Sequence, residues 1–359
     1  MGGNALSVKT RRYEREEFLD ILVEVRTMLN NRGIDSEVPK WYSNKETFGD
    51  LDVLIKSSTV EGNIMDIINE LFNPNEIYNN NNVKSFDYKE FQIDFIMTGD
   101  EIWETSINYF SFNDLGNFIG RISYQMGFRF GHFGLKLVYR HEDGGRKFSK
   151  IVSKDASKIY EFLGFDYNRY LKGFDEIEDI FKFVVGSKHY NPKIFDYDQL
   201  NHQNRTRNKK RKNYELFLQY VKDNPKGNKM TISAADGSGT PINTFLHETY
   251  VFGDKDMYVD RAEKFFEIEL KSEIEKWKEI VDQQKRASGI FNGNVVMEYY
   301  PLRGKELGEA MKKFNDYFDS FLPDATEDNK KLYRSRWILD NNLEQILEVF
   351  SNVNNLNKN

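Results

Sequence analysis

The stretch KETFGDLDVLI, residues 45–55, constrains this chain more than any other. It alternates like a half-buried strand, yet it sets Asp50 and Asp52 one residue apart among apolar neighbours. Residues i and i+2 of a strand share a face. Both carboxylates therefore project together, while Leu51 and Val53 pack on the opposite side. Two carboxylates held side by side repel each other, and they stay ionised most readily with a cation between them. Hard oxygen donors of this kind select Mg²⁺ or Mn²⁺. The plainer alternative is a turn residue after Gly49 followed by a solvent-facing Asp on an edge strand. A third acid argues for the metal: Asp94, in FQIDFI, is flanked by apolar residues on a strand predicted over 90–97. Two ions about 3.5–4 Å apart can clamp the attacking and leaving oxygens of a phosphoryl-type displacement. Asp94 would then be the natural group to take a proton from an attacking hydroxyl.

The surrounding pattern predicts an α+β domain with a small sheet. Residues 13–31 place Phe18, Ile21, Leu22, Val25 and Leu29 at helical spacing, with an acidic first turn and Gly33 as a stop. SEVPKWYS reads as a short strand broken by Pro39, residues 61–73 as a helix, and the Asn79–Asn82 run as a loop. Asn113–Met126 is helical, FRFGHFGLKLVYR alternates like one strand, and Ser153 offers an N-cap to a helix that stops near Gly164. TISAADGSGTP, 231–241, has the composition of a linker, and 256–288, 303–320 and 327–351 are helical in pattern.

With 51 basic and 57 acidic residues the net charge is −6, so any nucleic-acid contact needs a local basic patch. Arg205, Arg207, Lys209, Lys210, Arg211 and Lys212 supply one, six cations within eight residues, unless they are only a solvated helix start. The absence of cysteine removes disulfides, thiolate catalysis and Cys-ligated zinc, and fits a reducing compartment. The five histidines show no metal spacing. No apolar run is long enough to span a membrane, and MGGNALS fits neither a signal peptide nor a myristoylation site. A cytoplasmic protein is expected.

KETFGDLDVLI resembles the metal-binding strand of the nucleotidyltransferase superfamily, most closely that of family X DNA polymerases. NYFSFNDLGNFIGR, 108–121, is similar to that family's nucleotide-pocket helix, and QMGFRFGHFGLKLVYR and SKDASKIYEFLGFDY resemble its later thumb segments. The match covers about residues 36–175. The resemblance implies a small mixed-sheet, polymerase-β-like palm over 1–107 and a pocket-helix and thumb-like region over 108–175. A mostly helical region over 176–359 would bind the acceptor. It implies that Asp50, Asp52 and Asp94 hold two Mg²⁺ or Mn²⁺ ions. Tyr109 and Phe110 would line the sugar side of the nucleotide, Asp114 would lie against the base, Asn117 would reach its groove edge, and Arg121 would contact a paired strand. Each also has a plain alternative: core aromatics, a helix N-terminal charge, a solvated helix residue.

The pattern also departs from the family. Where the family carries a phosphate-cradling Gly-Ser pair, this chain has Pro39 and Lys40, and Ser43 replaces a phosphate-binding Arg. Proline has no N–H to donate. Two replacements are open: Lys40 or Lys45 could bind phosphate as point charges, or Gly2–Gly3 with the small polar residues after them could form a phosphate nest, unless they are only a disordered terminus. Residues 1–12 are too short a stretch to form the helical DNA-gripping domains that precede the family's core, and a gap-filling DNA polymerase of the usual build is therefore not expected. FNGNVVMEYYPLRGKELGEAMKKF, 291–314, weakly resembles the helical element of tRNA nucleotidyltransferases and bacterial poly(A) polymerases, through Gly304, Leu307 and Gly308.

The expectation is transfer of a nucleoside monophosphate from an NTP to the 3′-hydroxyl of a nucleic acid, RNA favoured over DNA, without a template. A templated DNA polymerase, a transferase with a small-molecule or protein acceptor, and a non-catalytic binding protein are the alternatives.

Overall fold

A computed structural model describes residues 5–142, 145–224 and 255–356. The linker candidate at 231–241 and the Gly2–Gly3 pair lie outside the described residues. The fold is α+β, in two compact units: residues 1–138 with 149–268, and residues 139–148 with 269–359. The expected boundaries at 107 and 175 both fall inside the first unit.

The first unit opens with β1 (Tyr13–Glu14), α1 (Arg15–Asn31), β2 (Ser36–Glu37), β3 (Thr47–Phe48) and β4 (Asp50–Lys56). It continues with α2 (Ile64–Phe72), β5 (Ile77–Asn80), β6 (Val83–Tyr88) and β7 (Phe91–Thr98). These form a mixed five-stranded sheet in the order β2-β4-β7-β6-β5, with β4 and β7 parallel and the other neighbours antiparallel. α1 begins at a reciprocal capping box between Glu14 and Glu17 and buries Phe18, Ile21, Val25 and Leu29. Those residues share one core with Leu51, Val53, Ile55, Ile93 and Phe95, the apolar positions of β4 and β7. Each such side chain contributes about 1.5–3 kcal/mol of burial. This burial fixes which face of the sheet is left for the polar positions.

The asparagine run is not a plain loop. Asn79 and Asn80 end β5, and the chain returns as β6. Sequence alternation is weak there because β5 is exposed at the sheet edge. The β6–β7 connection is the pair Lys89–Glu90, both at positive φ (51° and 60°). Two-residue hairpins with positive φ at both positions match the strand twist and pin the register. That register sets Ser85 opposite Asp94.

Next come α3 (Trp103–Phe110), α4 (Leu115–Gln125), β8 (Phe128–Gly131), β9 (Gly134–Arg140) and β10 (Lys147–Ser153). The single strand expected over FRFGHFGLKLVYR is a hairpin: β8 and β9 turn at His132–Phe133, and with β10 they form a three-stranded sheet. Gly134, at φ +103°, also lies where an added Cβ would meet the Ser153 carbonyl. Ser153 ends β10, and Asp155 is the N-cap of α5 (Ala156–Phe162), accepting from the Lys158 N–H at 3.1 Å. Then follow α6 (Tyr167–Leu171), α7 (Ile177–Val185), α8 (His202–Asn208), α9 (Lys212–Asp223) and α10 (Lys255–Phe266).

The second unit is helical: α11 (Lys271–Ile290), α12 (Gly293–Tyr299), α13 (Gly304–Asp319), α14 (Glu327–Asp340) and α15 (Leu343–Asn354). Its core gathers Phe291, Val296, Tyr300, Phe314, Phe318, Ile346 and Phe350. Tyr139, His141 and Phe148, from the end of β9, just after it and the start of β10, belong to it and ring Trp277 at 6.3, 5.8 and 6.0 Å.

Candidate functional site

The parallel pairing of β4 and β7 puts Asp52 directly beside Asp94 and Asp50 beside Gln92. With the odd positions sunk in the core, these four side chains share the other face. One carboxylate oxygen from each of Asp50, Asp52 and Asp94 lies within 4.8 Å of the others, and all three residues are half-buried. The sequence expectation that three acids on adjacent strands converge is met in the geometry.

Electrostatics follow from that crowding. Burial, then the charges of Asp50 and Asp94, push the Asp52 carboxyl well above the usual carboxylate range, with Lys45 opposing. Burial foremost, with Asp50, pushes Asp94 up to about 6, against hydrogen bonds from Ser85 and Gln92. Gln92 Nε2 donates to Asp94 Oδ1 at 2.9 Å and Oδ2 at 3.1 Å. Three carboxylate oxygens at this spacing could hold a metal ion, and oxygen donors of this kind favour a hard divalent one.

Asp50 and Asp52 line a cleft of about 270 Å³, together with Lys40, Trp41, Lys45, Tyr109, Phe110, Asn113, Asn117, Arg207 and Arg211. Lys45 lies with its ammonium 4.3 Å from the Phe48 ring centroid and 3.4 Å from Asn113 Oδ1. Burial holds its pKa below the ordinary lysine value, although Asp50 and Asp52 pull the other way. Lys40 is exposed, and its backbone is tied to the α3–α4 turn: its N–H donates to Ser111 Oγ at 3.0 Å and its carbonyl accepts from the Phe112 N–H. That turn holds Phe112 and Asn113 at φ 60° and 58°. Two adjacent non-glycine residues in the left-handed region cost energy that their surroundings must impose. Buried Phe112, edge-on to Tyr170 and Phe174, does so, and Asn113 is delivered to the cleft. Gly116 lets α3 and α4 approach there, since an added Cβ would meet the Tyr109 carbonyl.

Several expected site residues lie elsewhere or do something else. Asp114 is buried and ion-paired to Arg211, with Asn213 Nδ2 3.1 Å from its second oxygen. It anchors the α8–α9 segment instead of lying open to a base. Arg121 is buried, and its Nε and Nη2 both donate to the Ile194 carbonyl, at 3.2 and 2.6 Å. Its guanidinium is committed to the core and not presented to a paired strand. Ser43 donates its N–H to the Phe174 carbonyl at 2.8 Å and does not line the cleft. Asn117 lines the cleft and donates to Asn208 Oδ1 at 3.3 Å.

The basic block divides. Arg207 and Arg211 turn into the aspartate cleft. Arg205 is bonded to the Leu200 carbonyl at 3.0 Å, while Lys209, Lys210 and Lys212 are exposed. Gly304 and Gly308 are exposed on the first turns of α13 in the second unit.

Gln92 and Ser85 were not singled out in the sequence. Gln92 carried a signal, two residues before Asp94 on the same strand face. Ser85 carried none, because its strand was not recognised. No known protein family matches this chain, and no curated protein does.

Proposed function

We propose that this chain is a divalent-metal-dependent nucleotidyltransferase, built on a polymerase-β-like palm, that moves a nucleoside monophosphate from an NTP to the 3′-hydroxyl of a nucleic acid. The convergence of Asp50, Asp52 and Asp94, the first two of which line a cleft shared with Lys40, Lys45, Arg207 and Arg211, is the observation that carries it. The three carboxylates would hold two Mg²⁺ or Mn²⁺ ions, and the raised proton affinities of Asp52 and Asp94 fit a site that favours added positive charge. Bound there, such ions supply Lewis-acid polarisation of phosphoryl oxygens and a lowered pKa at the attacking hydroxyl.

The chain's own residues account for the rest. Lys40, Lys45, Arg207 and Arg211 offer side-chain cations to the donor phosphates, where Pro39 forbids a backbone cradle at its own position. Tyr109, Phe110 and Trp41 give the cleft apolar walls of a size to hold a sugar and base. Asp94, the register partner of Asp52, would accept the hydroxyl proton at its carboxylate. Exposed Lys209, Lys210 and Lys212 lie next to this cleft in sequence and suit an acceptor backbone. RNA and template-independent addition are preferred, because buried Arg121 is not offered to a paired strand.

The test is to offer each NTP and dNTP to labelled RNA and DNA primers, with and without template, in Mg²⁺ or Mn²⁺. Extension abolished by Asp52→Ala is expected. Extension untouched by that change removes the metal assignment, and template-dependent dNTP addition replaces the RNA reading with the DNA polymerase one.

A further inference from the structure

The first described residues run beside the aspartate cluster. The Ala5 N–H donates to Gln92 Oε1 at 3.0 Å. Two residues on, the Ser7 N–H, the Ser7 hydroxyl and the Val8 N–H converge on Glu76 Oε2 at 2.8, 2.7 and 2.9 Å. Glu76 is itself pinned, its N–H donating to Asp87 Oδ1 at 2.8 Å. The segment is therefore strapped to the sheet at two points, and one of them is Gln92.

Gln92 is 2% exposed, and its two ends are chemically different. With its oxygen taken by Ala5, only its NH₂ group can face Asp94, and it spans both carboxylate oxygens. Such an amide restrains rotation of the carboxylate and spends an acceptor site on each oxygen. Without the Ala5 bond the amide can flip, which would set its oxygen against the oxygens of Asp94.

We propose that Gln92 is a positioning residue for the cation site, and that the Ala5–Val8 strap sets its orientation. This rests on the three aspartates binding a divalent cation.

The experiment titrates Mn²⁺, by electron paramagnetic resonance, into the full chain and into Gln92→Leu, Glu76→Ala and the double variant, with melting temperatures taken in parallel. Gln92→Leu should weaken Mn²⁺ binding about 10–100-fold, the usual scale for a lost partner of a metal ligand. Glu76→Ala, which frees the strap without removing a group that touches Asp50, Asp52 or Asp94, should weaken it by a smaller factor. In the Gln92→Leu background it should have no further effect. Wild-type affinity in Gln92→Leu, even with a lowered melting temperature, overturns the positioning role and leaves the cation site standing. Additive losses in the double variant overturn the control by the strap. Wild-type protein with no Mn²⁺ binding that depends on Asp52 overturns the cation site and this inference with it.

Discussion

Burial and two neighbouring carboxylates raise the proton affinity of Asp52, so the cation-free fold carries a charge that opposes it. Asp52→Asn should raise stability in EDTA by about 1 kcal/mol or more, the scale of like-charge repulsion at a few ångströms. The same change should cut incorporation by at least about 10³-fold, since several kcal/mol of metal stabilisation goes with the ligand. Denaturant melts in EDTA read the first effect and primer extension the second; a loss of stability in Asp52→Asn contradicts the repulsion. The pH dependence has the matching sign. Asp94 is raised from 3.8 to about 6, so the folded state binds its proton more tightly than the unfolded chain does. That contribution is complete below about pH 4 and is lost as pH rises through about 6. Cation-free protein should therefore lose stability from pH 4 to 6. Mg²⁺ should restore more at pH 7.5 than at pH 5, where protons compete for the same oxygens. Thermal melts with and without Mg²⁺ at the two pH values decide it.

The α8–α9 segment carries six cations with different work. Arg207→Ala should raise the apparent KM for NTP about 10-fold, equivalent to one charge-assisted bond of about 1.4 kcal/mol, with no change in melting temperature. Arg211→Ala should do the same and also cost about 1–3 kcal/mol of stability, because Asp114 loses its ion-pair partner while staying mostly buried. Replacing Lys209, Lys210 and Lys212 by Ala should leave the NTP KM in place and flatten the salt dependence of strand binding. A shifted KM in the triple variant, or none in Arg207→Ala, reverses this division. Close packing of α3 on α4 is equally specific. Gly116→Ala pushes against the Tyr109 carbonyl and should cost about 1–3 kcal/mol through overpacking, with a raised NTP KM as Tyr109 shifts in the cleft. Unchanged stability would mean that the two helices can move apart freely.

Each compact unit has its own core, so denaturation of the whole molecule should show more than one transition. Trp277→Ala removes the ring around which Tyr139, His141 and Phe148 gather and should lower one transition by about 2–3 kcal/mol. The site lies wholly in the first unit, so NTP affinity should not move. A matched loss of NTP binding, measured by fluorescence titration, would show that the units act as one.

The strand of Asp50 and Asp52 was legible because period-2 alternation sets two acids one residue apart on one face of a half-buried strand. Asp50, Asp52 and Asp94 could thus be named from the chain alone, as could α1 from its helical period. β5 was not legible, because an exposed edge strand has no apolar face to announce it, and Ser85 went unseen with β6, the strand that carries it. The fates of Asp114, Arg121, Arg207 and Arg211 were decided only by tertiary structure. A charged side chain is buried, paired or presented according to what packs over it, and those partners, Arg211 for Asp114 and the Ile194 carbonyl for Arg121, stand 97 and 73 residues away along the chain.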